Sequence, residues 1–192
     1  MTSLAFVFPG QGSQAVGMLS EMGELHSVVK TTFAEASDEL GLDLWQMAQQ
    51  GPSDVLALTE NTQPLILTAS VALFRVWQQQ DGPMPVVAAG HSLGEFSALV
   101  AAGALEFGDA VRLVRLRGEA MQAAVPVGEG AMAAVIGLED ALINQVCDAV
   151  SEQTGLPVLA VNFNSPGQVV IAGKAGAVSM AAESLKAEGA KQ

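Results

Sequence analysis

Gly90–His91–Ser92–Leu93–Gly94 places a serine between two glycines, after the apolar run Val86–Val87–Ala88–Ala89 and before Glu95–Phe96–Ser97–Ala98–Leu99–Val100–Ala101–Ala102. The first run reads as a short buried strand and the last as a helix. Strand, Gly-x-Ser-x-Gly and helix together make a nucleophile elbow, in which Ser92 projects above the sheet edge and can attack an acyl carbon. Gly90 and Gly94 are small because strand and helix nearly touch there. The N–H of Leu93, at the helix start, points to where an oxyanion would form and is helped by the helix dipole. The same five residues also occur as an ordinary loop serine between glycines.

Two other places carry chemistry. Gly10–Gln11–Gly12–Ser13–Gln14 follows the strand Leu4–Phe8 and leads toward a helix. It has neither G-x-G-x-x-G nor a Walker lysine, so it is read as a turn exposing backbone N–H groups, a second oxyanion donor or a plain tight turn. Arg117 lies on a helix from about Gly108 to Val125. On that helix Ala110, Leu113, Val114, Met121 and Ala124 share an apolar face, with Arg112, Arg115, Glu119 and Gln122 opposite. Arg117 falls inside the apolar face, four residues from both Leu113 and Met121. A charge there pairs with a bound anion, pairs with a protein carboxylate, or snorkels to the edge.

The elements that must position these residues follow from punctuation and periodicity. Residues 26–40 and 42–50 have helical spacing, with Gly41 as a stop. Asn61 and Pro64 are read as the cap and first turn of a long helix through Trp77. After Pro126–Val127–Gly128 come a strand over 131–136, a helix over 138–153, strands over 157–162 and 168–172 and a helix over 175–187. The fold class is α/β. Residues 1–128 form an α/β-hydrolase-like large subdomain, the N-terminal part of its core. Residues 129–192 form an inserted ferredoxin-like small subdomain, one strand short of β-α-β-β-α-β.

Composition excludes several classes. The 192 residues are 50% hydrophobic and 15% charged, which suits a packed core rather than a disordered chain. A net charge of −12 argues against nucleic acid or an anionic membrane as partner. The single Cys147 allows no internal disulfide and fits a reducing, cytoplasmic setting. No Cys/His cluster has metal-ligand spacing, and neither a metal nor a cofactor is expected. The N-terminus lacks a basic signal region, and no segment is apolar enough to span a membrane.

The stretches Leu4–Gln14, Gly90–Leu99, Arg117–Gly118 and Val161–Gly173, in order, resemble the malonyl-CoA–acyl carrier protein transacylases of bacterial fatty acid synthesis. The acyltransferase domains of polyketide synthases share these motifs. The resemblance implies that Ser92 takes malonyl from malonyl-CoA and passes it to the phosphopantetheine thiol of holo acyl carrier protein. It implies oxyanion donors at the backbone N–H groups of Gln11 and Leu93. Arg117 would grip the malonyl carboxylate, and Gln11 and His91 would shape the substrate site. It also places the family's catalytic histidine beyond residue 192, because His26 and His91 both precede Ser92. The expectation is therefore an N-terminal part of such an enzyme, inactive by itself. A serine hydrolase or thioesterase, or a non-catalytic fragment binding acyl-CoA or carrier protein, are the other readings.

Overall fold

The computed structural model describes residues 3–126 and 128–191, and the chain is α/β. It divides into two compact units, Met1–Ala124 and Val125–Gln192.

The first unit is built on two parallel strands, β1 (Ala5–Phe8) and β2 (Val87–Gly90), with Ala5 opposite Val87 and Phe8 opposite Gly90. Parallel neighbours need a crossover, and five helices supply it: α1 (Ser20–Leu25), α2 (Ser27–Leu40), α3 (Leu44–Gln50), α4 (Ser53–Ala57) and α5 (Thr59–Gln79). Two more follow β2, namely α6 (Leu93–Ala101) and α7 (Phe107–Ala124). Helix α5 is the axis of this unit. It is buried continuously from Asn61 to Ala72 and packs against α2, α6 and α7. A helix buried on every side belongs in a core, and here Leu65 and Leu67 share one core cluster with Val29, Phe33, Val111 and Val114.

The start of α5 differs from the sequence expectation. The helix begins at Thr59, so Pro64 is its sixth residue rather than part of its first turn. Asn61 and Thr62 do not cap it. Asn61 Nδ2 donates to the Val55 carbonyl at 3.0 Å and Thr62 Oγ1 donates to that of Leu56, joining α5 to α4. Proline has no N–H to offer the carbonyl four residues back, which is that of Glu60. Arg115 Nη1 on α7 donates to this oxygen at 3.2 Å instead. A tertiary contact therefore lets the helix run through its proline. The end of α2 does follow the sequence: Gly41 adopts φ 64° and closes the helix.

The second unit runs β3 (Gly130–Ile136), α8 (Asp140–Thr154), β4 (Val158–Ser165), β5 (Gln168–Lys174) and α9 (Ala175–Ala187). Its sheet order is β3–β5–β4, antiparallel throughout, with Pro166–Gly167 turning the β4–β5 hairpin. Helices α8 and α9 lay Ile143, Cys147, Val150, Ala181 and Leu185 on Val158, Val169 and Ile171 of the sheet. Burial raises the Cys147 thiol above its ordinary pKa, with Asp148 adding to the effect. Beyond α9 the chain returns to β3, where Lys191 and Ile136 exchange two backbone hydrogen bonds at 2.7 and 3.2 Å.

Candidate active site

Only His91 and Ser92 separate β2 from α6. So sharp a reversal forces Ser92 to φ 53° and ψ −107°, a region that costs an L-residue about 1–3 kcal/mol. The turn is closed by Gly94 N–H donating to the His91 carbonyl at 2.9 Å and Glu95 N–H to that of Ser92 at 3.2 Å. The flanking glycines are required by space. A Cβ on Gly90 would lie 2.0 Å from the carbonyl carbon of Gly94, and one on Gly94 would lie 2.3 Å from the Phe8 oxygen. Strand ends and helix thus meet backbone to backbone, with Ser92 and His91 exposed above and the Leu93 side chain fully buried below. Leu93 opens α6, so its N–H has no helical acceptor and sits at the positive end of the helix.

Arg117 reaches this turn from α7. Its Nη2 donates to Ser92 Oγ at 2.9 Å and its Nη1 to Gln63 Oε1 at 2.7 Å, with the guanidinium carbon 5.8 Å from the Phe96 ring centroid. Gln63 is fully buried and turns its amide nitrogen to Met121 Sδ at 3.3 Å. Both groups that touch the guanidinium by hydrogen bonding are neutral. The other three arginines are paired: Arg75 with Glu35, Arg112 with Glu39 and Asp109, and Arg115 with Glu60 and Glu119. The hydrogen bond and charge of Glu39, with those of Asp109, hold the Arg112 guanidinium above its ordinary pKa. Among the described residues no carboxylate lies within 4.0 Å of Arg117. A guanidinium has five N–H donors, so Arg117 keeps positive charge and free donors beside the serine oxygen.

The apolar face expected for α7 needs correction. Its buried residues are Phe107, Ala110, Val111, Val114 and Gly118, whereas Leu113 and Met121 are exposed. The stripe is turned because α7 meets α5 at Gly118, where a Cβ would lie 2.6 Å from Glu60 Cα. Glycine leaves no mark in an apolar pattern, yet it sets the closest approach. Arg115 and Arg117 consequently flank the buried stripe, one on each side.

Gln11 lies exposed in the turn after β1, and its Nε2 donates to Thr59 Oγ1 at 3.4 Å. A Cβ on the preceding Gly10 would stand 3.2 Å from the His91 oxygen, so the turns after β1 and β2 are adjacent. Ligands of open parallel sheets bind at such carboxyl ends. Ser92, Leu93, Gln11, His91 and Arg117 are thus brought to one end of the first unit. Neither His26 nor His91 hydrogen-bonds to Ser92 among the described residues. An apolar groove beside β1, lined by Phe6, Phe8, Ile66, Leu73, Phe74 and Trp77, includes none of them. Among the described residues no group of acids, histidines and cysteines could hold a metal, and no helix is long and apolar enough to cross a membrane. Sequence reasoning did not single out Gln63 or Phe96. The signal for Gln63 is an amide two residues ahead of the apolar run Leu65–Leu67, since a polar group within a buried helix must find a partner.

A profile described as the acyl transferase domain matches residues 5–192. The chain belongs to the acyl transferase family. Its 192 residues are 61% identical to the malonyl CoA-acyl carrier protein transacylase of Escherichia coli K12 and 49% identical to that of Bacillus subtilis 168, and cover 62% and 60% of those proteins. Among solved structures, the malonyl CoA-acyl carrier protein transacylase of Coxiella burnetii superposes with a TM-score of 0.95 at 53% identity. All of this chain and 60% of that one are covered. A malonyl-transacylase solved in complex with the acyl carrier protein of a type II polyketide synthase gives 0.94 at 55% identity, with 100% and 61% covered. The chain therefore spans about three fifths of the length of these relatives.

Proposed function

We propose that the full-length protein moves a malonyl group from malonyl-CoA to the phosphopantetheine thiol of holo acyl carrier protein, in fatty acid synthesis, through an ester on Ser92. One observation carries the reading: the Arg117 guanidinium donates to the candidate nucleophile at 2.9 Å and, among the described residues, has no carboxylate within 4.0 Å. A malonyl ester on Ser92 ends in a carboxylate, and a planar guanidinium grips a carboxylate with two hydrogen bonds. An acyl group without that charge would leave Arg117 unpaired.

In this reading the strained turn at Ser92 is a nucleophile elbow on an α/β-hydrolase-like core spanning 1–128. Ser92 Oγ attacks the thioester carbon while its proton passes to a base. The tetrahedral oxygen is held by the backbone N–H groups of Leu93 and Gln11, and collapse expels the CoA sulfur, which takes up a proton. The carrier thiol then attacks the ester through the same steps in reverse. His91 is exposed beside the serine and shapes the mouth of the site. The resemblance drawn from the motifs puts the base, a histidine, in the part of the relatives' length that this chain does not span. Residues 129–192 fit a ferredoxin-like subdomain; the bridge of Lys191 to Ile136 supports this by bringing chain to the free side of β3. The single, buried Cys147 agrees with a cytoplasmic protein.

Intact-mass analysis of the full-length protein mixed with malonyl-CoA tests the reading. A malonyl adduct that disappears in Ser92→Ala is expected. An adduct persisting in the alanine variant would move the nucleophile elsewhere, and release of free acid in place of transfer to the carrier thiol would make the protein a hydrolase.

A further inference from the structure

Arg115, two residues before the candidate carboxylate ligand, is partly buried, with 21% of its side chain exposed. Its Nη1 donates to the Glu60 carbonyl at 3.2 Å and to Asn61 Oδ1 at 2.7 Å. Nε donates to Glu119 Oε1 at 2.6 Å, and Nη2 lies 3.7 Å from Glu60 Oε1. The Glu60 carbonyl is the one that Pro64 leaves without a helical donor. Asn61 is buried and passes the connection on to the Val55 carbonyl. Arg115 thus fastens the first turn of α5 to α7, and through Asn61 to α4.

That same turn touches the candidate site twice. Thr59 Oγ1 accepts from Gln11 Nε2, and Gln63 Oε1 accepts from Arg117 Nη1. Gly118 lets the two helices come together where a Cβ would lie 2.6 Å from Glu60 Cα, so a small slip of the turn has no slack to be absorbed in. We propose that Arg115 is a positioning residue: by donating the hydrogen bond that Pro64 cannot, it holds Gln63 and Thr59 where they aim Arg117 and Gln11, and so sets how strongly the site prefers an acyl group ending in a carboxylate. The inference rests on the malonyl reading of the site. A hydrogen bond to Gln63 fixes only one edge of the Arg117 guanidinium. If the turn carrying Gln63 drifts, the outer edge leaves the plane of the substrate carboxylate, and a misplacement of about 1 Å can cost on the order of 10²-fold in rate.

The test compares the full-length protein with Arg115→Gln, Arg115→Lys and Arg117→Ala, measuring kcat/KM for loading from malonyl-CoA and from acetyl-CoA, with Tm for each. Arg115→Gln should lower the malonyl-to-acetyl ratio roughly tenfold. Arg115→Lys should recover part of it, because an ammonium keeps the charge but lacks the planar fork that spans the separated acceptors on α5 and α7. A merely structural Arg115 would shift Tm and leave the ratio at the wild-type value, which overturns the proposal. Should Arg115→Gln fail to fold, Arg115→Lys decides alone, and an unchanged ratio overturns the proposal. Arg117→Ala separates the two levels: if it leaves the ratio intact, the malonyl reading falls. If it collapses the ratio while both Arg115 variants keep it, only the role of Arg115 falls.

Discussion

The two shoulders of α7 hold arginines in opposite states. On one, Arg115 is matched by Glu60 and Glu119 and by two neutral oxygens, so its charge is answered within the protein. On the other, Arg117 rests on the neutral Gln63 and Ser92 and against the face of Phe96. The difference lies in what the facing part of α5 offers. At Glu60 the helix presents a carboxylate, and three residues later, at Gln63, an amide of nearly the same shape. An amide can orient a guanidinium through its oxygen without cancelling its charge. The first arrangement answers the charge within the protein, whereas the second hydrogen-bonds it only to neutral groups, which is what the proposed binding of a substrate carboxylate requires.

Four changes break or sharpen that contrast. The largest effect falls on the turn that brings Ser92 to Arg117: Gly94→Ala drives a methyl group into the Phe8 carbonyl at 2.3 Å. Backbone atoms cannot rotate away, so urea unfolding should show a loss of about 4 kcal/mol, with acyl loading abolished. Next is Gln63→Glu, which gives Arg117 the kind of partner Arg115 has. A charged hydrogen bond of about 2 kcal/mol then competes with the substrate carboxylate, so malonyl kcat/KM should fall roughly 30-fold while acetyl loading changes little. Equal falls for both substrates would show that Gln63 serves packing alone. Glu119→Gln removes one answer to Arg115 and leaves its contacts to α5; an exposed i,i+4 pair is worth about 0.5 kcal/mol or less, so only a slight loss in urea unfolding is expected. Arg112→Gln, on an exposed arginine away from both shoulders, should leave Tm and loading unchanged within error.

The sequence carried the Ser92 turn because its requirements are local. Two glycines and a serine between a strand and a helix state where the backbone must reverse and where it must come close, and Gly90 and Gly94 are needed for that reason. Helix α2 ended at Gly41 as its spacing indicated, and α9 runs from Ala175 to Ala187 as read. The helix expected after the Gly10–Gln14 turn is α1, but its bounds, like the existence of α4, have no signal in the sequence, since six and five residues are too few to show a period. The start of α5 departs from the sequence pattern because Pro64 normally marks a first turn, and no local signal announces that Arg115 will satisfy the Glu60 carbonyl. The α7 face departs from its apolar pattern for a related reason: the contact that orients it is made at Gly118, which has no side chain to enter the pattern. The role of Gln63 is not local, because it depends on Arg117, fifty-four residues later. What the sequence withheld is where α5 and α7 meet, and that meeting decides which arginine is neutralised.

The central claim is that Arg117 is kept unpaired for the carboxylate of an acyl group on Ser92. Single-turnover loading of full-length Arg117→Ala from malonyl-CoA and from acetyl-CoA, each measured against the unsubstituted protein, tests it most directly. Malonyl loading should drop by about 10² or more, the equivalent of losing a bidentate charged contact, while acetyl loading stays within a few-fold. A fall by the same factor for both acyl groups would contradict the claim and leave Arg117 as a support for Ser92 alone.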